Sequence, residues 1–240
     1  MKFTSIRIVL VETSHPGNIG STARAMKTMG LHRLYLVNPT LEPYRKAHEM
    51  AAGAFDILRE AVIVDSLADA LQGCQLICAT SARPRDIALP GLSPASCAEL
   101  ISSHSDETEI AIVFGREHAG LTNAELLHAH YHVHIPSNPN FSSLNLSQAV
   151  QILAYEIRMR LLSPTATVET RHDTFATADE IERFYAHLNQ VLIEIDFLKP
   201  SNPKRLMQRL RRLFNRARLE SMEVNILRGI LTQIQSSRPS

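Results

Sequence analysis

The feature that constrains this chain most is a regular alternation between short apolar runs and stretches with helical spacing. Ile6 to Val11, Leu34 to Val37, Ala61 to Val64, Leu76 to Thr80, Ile110 to Phe114 and Tyr131 to Ile135 have strand length. The run Ile110-Ala-Ile-Val-Phe114 has no polar position, so it must be buried on both faces. Between these runs lie helical patterns: Asn18 to Met29 with Asn18 as its cap, an Ala-rich stretch near Ala47 to Ala54, and others opening at Ser66, at Ser93-Pro94 and near Thr122. Ser66 and Asp69 have capping-box spacing, and Ser93 before Pro94 is a good helix start. Strands that need cover on both sides, separated by helices, predict a parallel sheet and an α/β domain over residues 1–162, ending in a long helix from Leu146 to Leu162.

The pattern then changes. Residues 163–178 are rich in Ser and Thr, are broken by Pro164, and are expected to be a linker. Residues 179–240 have helical periodicity alone, in Glu180 to Leu198 and Lys204 to Ile234, parted by Pro200-Ser-Asn-Pro203. Charge separates the two parts as well: the first 160 residues carry 13 basic and 15 acidic side chains, the rest 12 and 9. From Lys199 to Arg218 there are eight Lys/Arg and no acid. Arg205, Arg209, Arg212 and Arg216 fall on one helix face, beside an expected apolar stripe of Leu206, Leu210, Leu213 and Ala217. A nucleic-acid phosphate backbone is the natural partner of such a face, and a merely solvated surface is the alternative.

A formal net charge of +1 excludes a basic nucleic-acid tail or an acidic solvating protein. No apolar run approaches the ~18 residues of a membrane span, and Met1 to Ile6 lacks the layout of a secretory signal, so a soluble, cytoplasmic protein without membrane attachment is expected. Cys74, Cys78 and Cys97 show no CxxC spacing and are expected to be buried thiols. His128, His130, His132 and His134 alternate along the chain, but no Cys or acidic ligand accompanies them, so no metal site is expected.

Three segments are too polar or too glycine-rich for an α/β core. The first, Glu12-Thr-Ser-His-Pro-Gly-Asn-Ile-Gly-Ser-Thr-Ala-Arg24, joins a strand to a helix and carries Arg24 about two turns into it. It is neither a GxGxxG fingerprint nor a P-loop, which disfavours a nicotinamide dehydrogenase. The second, Val113-Phe-Gly-Arg-Glu-His-Ala-Gly-Leu121, follows a buried strand, where ligands of open α/β sheets bind. The third, Ile135 to Ser147, is dense in Ser, Asn and Pro and can present amides and hydroxyls to a polar ligand.

Asn18 with Arg24, Phe114-Gly-Arg-Glu117 and Ser143-Leu-Asn-Leu-Ser147 resemble the three motifs of the SPOUT superfamily of RNA methyltransferases, in its ribose 2′-O-methylating branch. Ile8 to Asn18, Ala51-Ala-Gly-Ala54, Thr80-Ser-Ala-Arg83 and the tail resemble more closely the bacterial members that methylate tRNA at position 32 of the anticodon loop. The resemblance spans roughly residues 5–235. It implies a sheet whose C-terminal part is tied in a trefoil knot, with a small helical domain appended, and a homodimer holding S-adenosylmethionine in the knot loops. It also implies that Thr80, Ser81, Phe114, Gly115, Glu117, Ile135, Asn140, Leu144 and Asn145 contact the cofactor. Arg24 is implied to activate the ribose hydroxyl, with Asn18 and Ser143 fixing it and Arg83 holding phosphate. Arg205, Arg209, Arg212 and Arg216 are then expected to bind tRNA. A ribosomal RNA substrate, or an RNA-binding protein without catalysis, are the competing expectations; the intact set Asn18, Arg24 and Ser143 speaks against the second.

Overall fold

The computed structural model describes residues 2–40, 44–81, 89–163, 174–201 and 205–237. In chain order the first part holds β1 (Ile6–Val11), α1 (Pro16–Met29), β2 (Arg33–Val37), α2 (Tyr44–Ala51), α3 (Phe55–Arg59), β3 (Val62–Val64), α4 (Leu67–Leu71) and β4 (Leu76–Thr80). It continues with β5 (Gly91–Leu92), α5 (Pro94–Ser103), β6 (Ile110–Phe114), α6 (Asn123–Leu126), β7 (Tyr131–Val133) and α7 (Leu146–Leu162). The seven strands form one parallel sheet in the order β3-β2-β1-β6-β4-β7-β5. The central strands are apolar on both faces because each face has its own core. Ile8 and Leu10 of β1 join one cluster with Met26, Ile101, Leu153 and Ile157 from α1, α5 and α7. Val9 and Val11 join the other, with Ala70, Leu71 and Leu126 from α4 and α6. Arg7 is the buried exception on β1, and its two terminal nitrogens bond the Ala70 carbonyl at 3.0 Å and the Glu109 carboxylate at 2.6 Å. The three cysteines are buried thiols, and burial pushes Cys74 up to about 12.

Three helices follow: α8 (Ala178–Glu194), α9 (Leu206–Ala217) and α10 (Ser221–Ser236). They enclose a separate small core that includes Phe184, Tyr185, Leu188, Val224 and Leu231. This unit is anchored to the sheet domain by polar bonds. The Ala178 N–H donates to the Cys74 carbonyl at 2.8 Å, and Asn215 Nδ2 donates to the Leu127 carbonyl at 2.7 Å. Asn215 in turn accepts from the Tyr185 hydroxyl at 2.6 Å, and the Arg218 guanidinium stacks 4.0 Å from the Phe175 ring centroid.

Four local expectations need correction. Helix α1 begins two residues earlier than Asn18, with Pro16 in its first turn and His15 as the cap, its Nδ1 accepting from the Gly17 N–H. Proline is pre-set for a first helical turn and needs no hydrogen bond there, which leaves the Asn18 amide free for another task. The Ala-rich helix lies at Tyr44–Ala51 instead of Ala47–Ala54, and it crosses α1 so closely that a Cβ on Gly20 would lie 2.0 Å from the Ala47 carbonyl oxygen. The expected tail helix from Lys204 is broken: Arg218 adopts φ 53°, and Glu220 opens α10 with its own capping box. The inward face of α9 carries Met207, Leu210, Phe214 and buried Asn215, while Leu213 is 47% exposed and Ala217 is exposed, so the apolar stripe is rotated from the expected one. Aromatic Phe214, packed edge-on against Phe184, outweighs the leucine spacing.

Candidate functional site

The C-terminal ends of β4, β6 and β7 open into a cleft of about 240 Å³. Its walls include Thr80, Ser81, Phe114, Gly115, Glu117, Ile135, Ser143 and Leu144, so eight of the expected site residues meet there. Val133, Leu146 and Ala149 add apolar wall, and Ser142 and His118, from the third and second of the polar segments, add polar groups. Asn140 is exposed and is not part of the wall, and neither is Asn145. Arg83 lies outside the described residues.

The strand ends make this opening because the chain must leave the sheet there. After β6, Gly115 passes so close to the returning loop that a Cβ would lie 2.2 Å from the Gly120 carbonyl carbon, so only glycine fits. Arg116 and Gly120 then bridge each other, and the Arg116 guanidinium reaches Glu12 at 2.7 Å and Glu125 at 3.0 Å. Those hydrogen bonds, to Glu12 first and Glu125 second, push Arg116 further above the usual arginine range and lock its charge in place. Glu125 also closes the capping box of α6 with Thr122. The loop is thus held from β1, from α6 and from its own backbone.

The three segments singled out by sequence are joined in one line of hydrogen bonds. Glu117 accepts from the Ser14 N–H at 3.1 Å, the Ser14 hydroxyl at 3.0 Å, the His15 N–H at 3.3 Å and Asn18 Nδ2 at 2.9 Å. The Asn18 Oδ1 accepts from Asn145 Nδ2 at 2.9 Å. The Asn145 Oδ1 caps α7 through the Ser147 N–H at 2.9 Å and hydroxyl at 2.7 Å. Burial by itself would raise Glu117, but donation from Asn18 and Ser14 outweighs it and leaves the carboxyl below its ordinary value. Glu117 is therefore an anion at neutral pH, seated at the N-terminus of α1 where the helix dipole favours it. The resemblance implies cofactor contacts for Glu117 and Asn145; the geometry gives both a structural duty as well, tying α1, the β6 loop and α7 together beside the cleft. No local signal could have shown these bonds, because the Asn18 and Asn145 partners are 127 residues apart.

Arg24 is exposed on α1, on the stripe that carries Asn18 and Ser21, about 9 Å further along the axis from Asn18. Among the described residues its guanidinium has no hydrogen-bond or ion-pair partner, and it does not line the cleft of its own chain. The histidine run disperses: His128 pairs with Glu182 at 3.2 Å, His130 accepts from the Ile77 N–H at 3.1 Å, and His134 faces the Ser81 carbonyl. Arg205, Arg209, Arg212 and Arg216 are all exposed, whereas Arg211 is turned inward onto Glu182 at 2.5 Å.

A parallel sheet with a cleft at its strand ends and three converging polar loops matches a known family, and the chain belongs to it: the SpoU rRNA Methylase family, whose model matches residues 5–155. The model of the tRNA methyltransferase TrmJ C-terminal domain matches residues 179–239. The chain is 51% identical to the tRNA (cytidine/uridine-2′-O-)-methyltransferase TrmJ of Pectobacterium atrosepticum over 97% of this chain and 98% of that one. It is 53% identical to the protein of that name from Yersinia pestis, over 96% of this chain and 91% of the other. The crystal structure of TrmJ from Z. mobilis ZM4 superposes with a TM-score of 0.85 at 32% identity, covering 95% of this chain and 98% of that one. Among the described residues no helix is long and apolar enough to cross a membrane.

Proposed function

We propose that this chain is a cytoplasmic homodimer that transfers the methyl group of S-adenosylmethionine to the ribose 2′-hydroxyl of cytidine or uridine at position 32 of the tRNA anticodon loop, a reading supported by its full-length TrmJ relatives. The observation that carries it is the convergence of the three motif segments, bonded through Asn145, Asn18 and Glu117 beside one cleft. The cleft's chemistry suits this cofactor. Ile135 and Leu144, backed by the buried Phe114 and Val133, offer apolar surface to a flat heterocycle, and Thr80, Ser81 and Ser143 offer hydroxyls and backbone groups to its ribose and amino-acid ends. Those residues, with Gly115 and Glu117, would hold it; Asn145 would act by fixing the cap of α7, and Asn140 by shaping the loop before it.

Bound there, the cofactor supplies an electrophilic methyl group on a sulfonium. The ribose hydroxyl must lose its proton as the bond to carbon forms. A guanidinium stays protonated at neutral pH, so Arg24 serves as the group that orients the 2′-oxygen and stabilises its developing negative charge, and a phosphate of the substrate takes the proton. Ser143, at the cleft wall, and Asn18, held on both sides, orient the hydroxyl; Arg83 holds phosphate. Most of the acceleration comes from placing oxygen, methyl and sulfur in line.

The dimer follows from what one chain lacks. Arg24 stands away from its own cleft, so the arginine that serves each cleft comes from a second copy. The apolar side chains Tyr155, Met159 and Leu162 of α7 are 49%, 47% and 57% exposed at i, i+4 and i+7, a stripe suited to the copy's surface. The trefoil knot is supported by strand order: β7 enters between β4 and β5, which both precede it, and the chain then runs on into α7, packed against α1 and α5. Residues 1–162 carry the chemistry, 163–178 link, and 179–240 grip tRNA through Arg205, Arg209, Arg212 and Arg216. The TrmJ-type tail favours tRNA over ribosomal RNA as substrate. Mass mapping of 2′-O-methyl groups on total tRNA incubated with protein and cofactor tests the reading. Methylation at position 32 is expected, and methylation elsewhere in the absence of that product refutes the substrate assignment.

A further inference from the structure

A second, open hollow of about 600 Å³ lies beyond the ends of β1 and β2. Glu12, Ser14, Asn38 and Thr40 line it on one side and the stretch Arg116 to Ala119 on the other. That same stretch walls the cofactor cleft, so the two spaces are one loop apart. We infer that this hollow receives the pyrimidine base of the target nucleotide and that the Asn38 amide reads the edge on which cytosine and uracil differ. The inference rests on the activity proposed above and adds to it a site for the base.

Backbone and chemistry both support it. Glu12 and Asn38 are each the first residue after a strand, and both hold φ 46°. Their N–H groups extend the sheet pairing one step further, Glu12 to the Val37 carbonyl at 2.8 Å and Asn38 to the Val64 carbonyl at 3.0 Å. Two non-glycine residues in the left-handed region on adjacent strand ends are the kind of conformation that persists at functional sites. The hollow is a poor place for phosphate. Its guanidinium, Arg116, is already neutralised by Glu12 and Glu125, and no other Lys or Arg is among its described walls. Its carboxylates, Glu12 and Glu117, are engaged by Arg116 and by Ser14 and Asn18, and the side chains left to a ligand are the Asn38 amide, the Thr40 hydroxyl and the His118 imidazole. Among the described residues the Asn38 side chain has no hydrogen-bond partner. A splayed-out loop base is recognised by groups of this kind.

The choice of an amide accounts for tolerance of two bases. The contact is with the group at position 4, where cytosine presents an amino donor and uracil a carbonyl acceptor. An amide carries both a donor and an acceptor and meets either base by turning over. A carboxylate in its place only accepts, so it suits the cytosine amino group and opposes the uracil carbonyl. Asp tolerates the left-handed region as Asn does, so Asn38→Asp changes the reading group without straining the backbone.

The test measures kcat/KM on two tRNA transcripts that differ only by C or U at the target position, for the parent and for Asn38→Asp, together with the cofactor Kd of each. The cytidine-to-uridine ratio is expected to rise about tenfold or more in the variant, because a site built to bond one edge rejects the other. The cofactor Kd is expected to stay at the parent value. An active variant with an unchanged ratio overturns the inference. Should the Asp variant lose activity on both transcripts, Asn38→Gly decides, since glycine keeps the positive φ and removes the amide. It is expected to lower kcat/KM on both transcripts with the cofactor Kd unchanged, and parental activity on both overturns the assignment. A parent that methylates neither transcript overturns the proposed activity itself, and the inference falls with it.

Discussion

Arg24 and Asn18 lie six residues apart on α1, the first exposed and the second half-buried, and they are built for opposite duties. Asn18 is held by Glu117 and Asn145, while Arg24 is left open on the surface. An open guanidinium on a rigid helix is suited to a substrate, so Arg24→Ala is expected to abolish methyl transfer while the cofactor Kd, measured by calorimetry, stays within a few-fold. A large loss of cofactor binding would place Arg24 in the wrong role. His130 gives a prediction of a different kind. Burial, reinforced by the positive charge of Arg218 and by His104, lowers it to about 3, and its Nδ1 accepts from the Ile77 N–H as a neutral ring. In the unfolded chain the ring titrates near the ordinary value of about 6.5. Between those two values the unfolded state holds one more proton, so stability is lost as pH falls, at up to about 1.4 kcal/mol per pH unit. Urea unfolding from pH 7 to pH 4 is expected to show that slope in the parent and a shallower one in His130→Asn.

At the scale of elements, α9 works because its two sides are sorted. Met207, Leu210 and Phe214 pack inward, Arg211 bonds Glu182 and stacks 4.4 Å from the Tyr185 ring centroid, and Asn215 reaches the sheet domain. Arg205, Arg209, Arg212 and Arg216 remain on the outside. Replacing those four by Gln is expected to leave folding intact, because none is buried, and to raise the tRNA Kd. The salt dependence of binding should flatten by about 0.7 to 0.9 of a log-log slope unit for each phosphate contact removed. An unchanged slope in filter-binding titrations from low to moderate salt would show that tRNA is gripped elsewhere. The contrast with Arg211 matters here: it lies in the same basic stretch, but Arg211→Gln should lower thermal stability, since it breaks a half-buried bidentate pair with Glu182.

Across the whole molecule, the cleft and the tail depend on different parts of the chain. All residues of the cleft wall lie between Thr80 and Ala149, whereas the basic face begins at Arg205. Truncation after Leu162 is therefore expected to retain cofactor affinity while nearly eliminating tRNA methylation. The tail is also part of the fold, since Ala178, Asn215 and Arg218 bond to the sheet domain. The truncated protein should therefore melt at a lower temperature than the parent by differential scanning calorimetry, with its cofactor Kd as the separate readout. If cofactor affinity collapses with the tail, the two functions are not divided as proposed.

That the sheet is covered by helices could be read from the chain alone, because an uninterrupted apolar run such as Ile110 to Phe114 has no face to give to water; the equally apolar run Val62 to Val64 lies largely exposed at the sheet edge, where it has a single neighbouring strand. Helix starts marked by Ser66, Ser93 and Thr122 were legible for the same local reason: a cap bonds within three residues of itself. Most of the cleft wall was legible through its motifs, from Thr80 to Leu144. What periodicity could not carry was partnership. It reports whether a side chain is buried, but not against what, so the strand order, the insertion of β7 between β4 and β5 and the rotation of α9 about its axis were decided by long-range packing. Nothing beside Glu117 in the chain announces its bonds to Ser14, His15 and Asn18, and the hollow beside Asn38 exists only where two strand ends and a loop more than seventy residues away come together. Those groups are joined by bonds that no neighbouring residue dictates, so only the folded chain could place them.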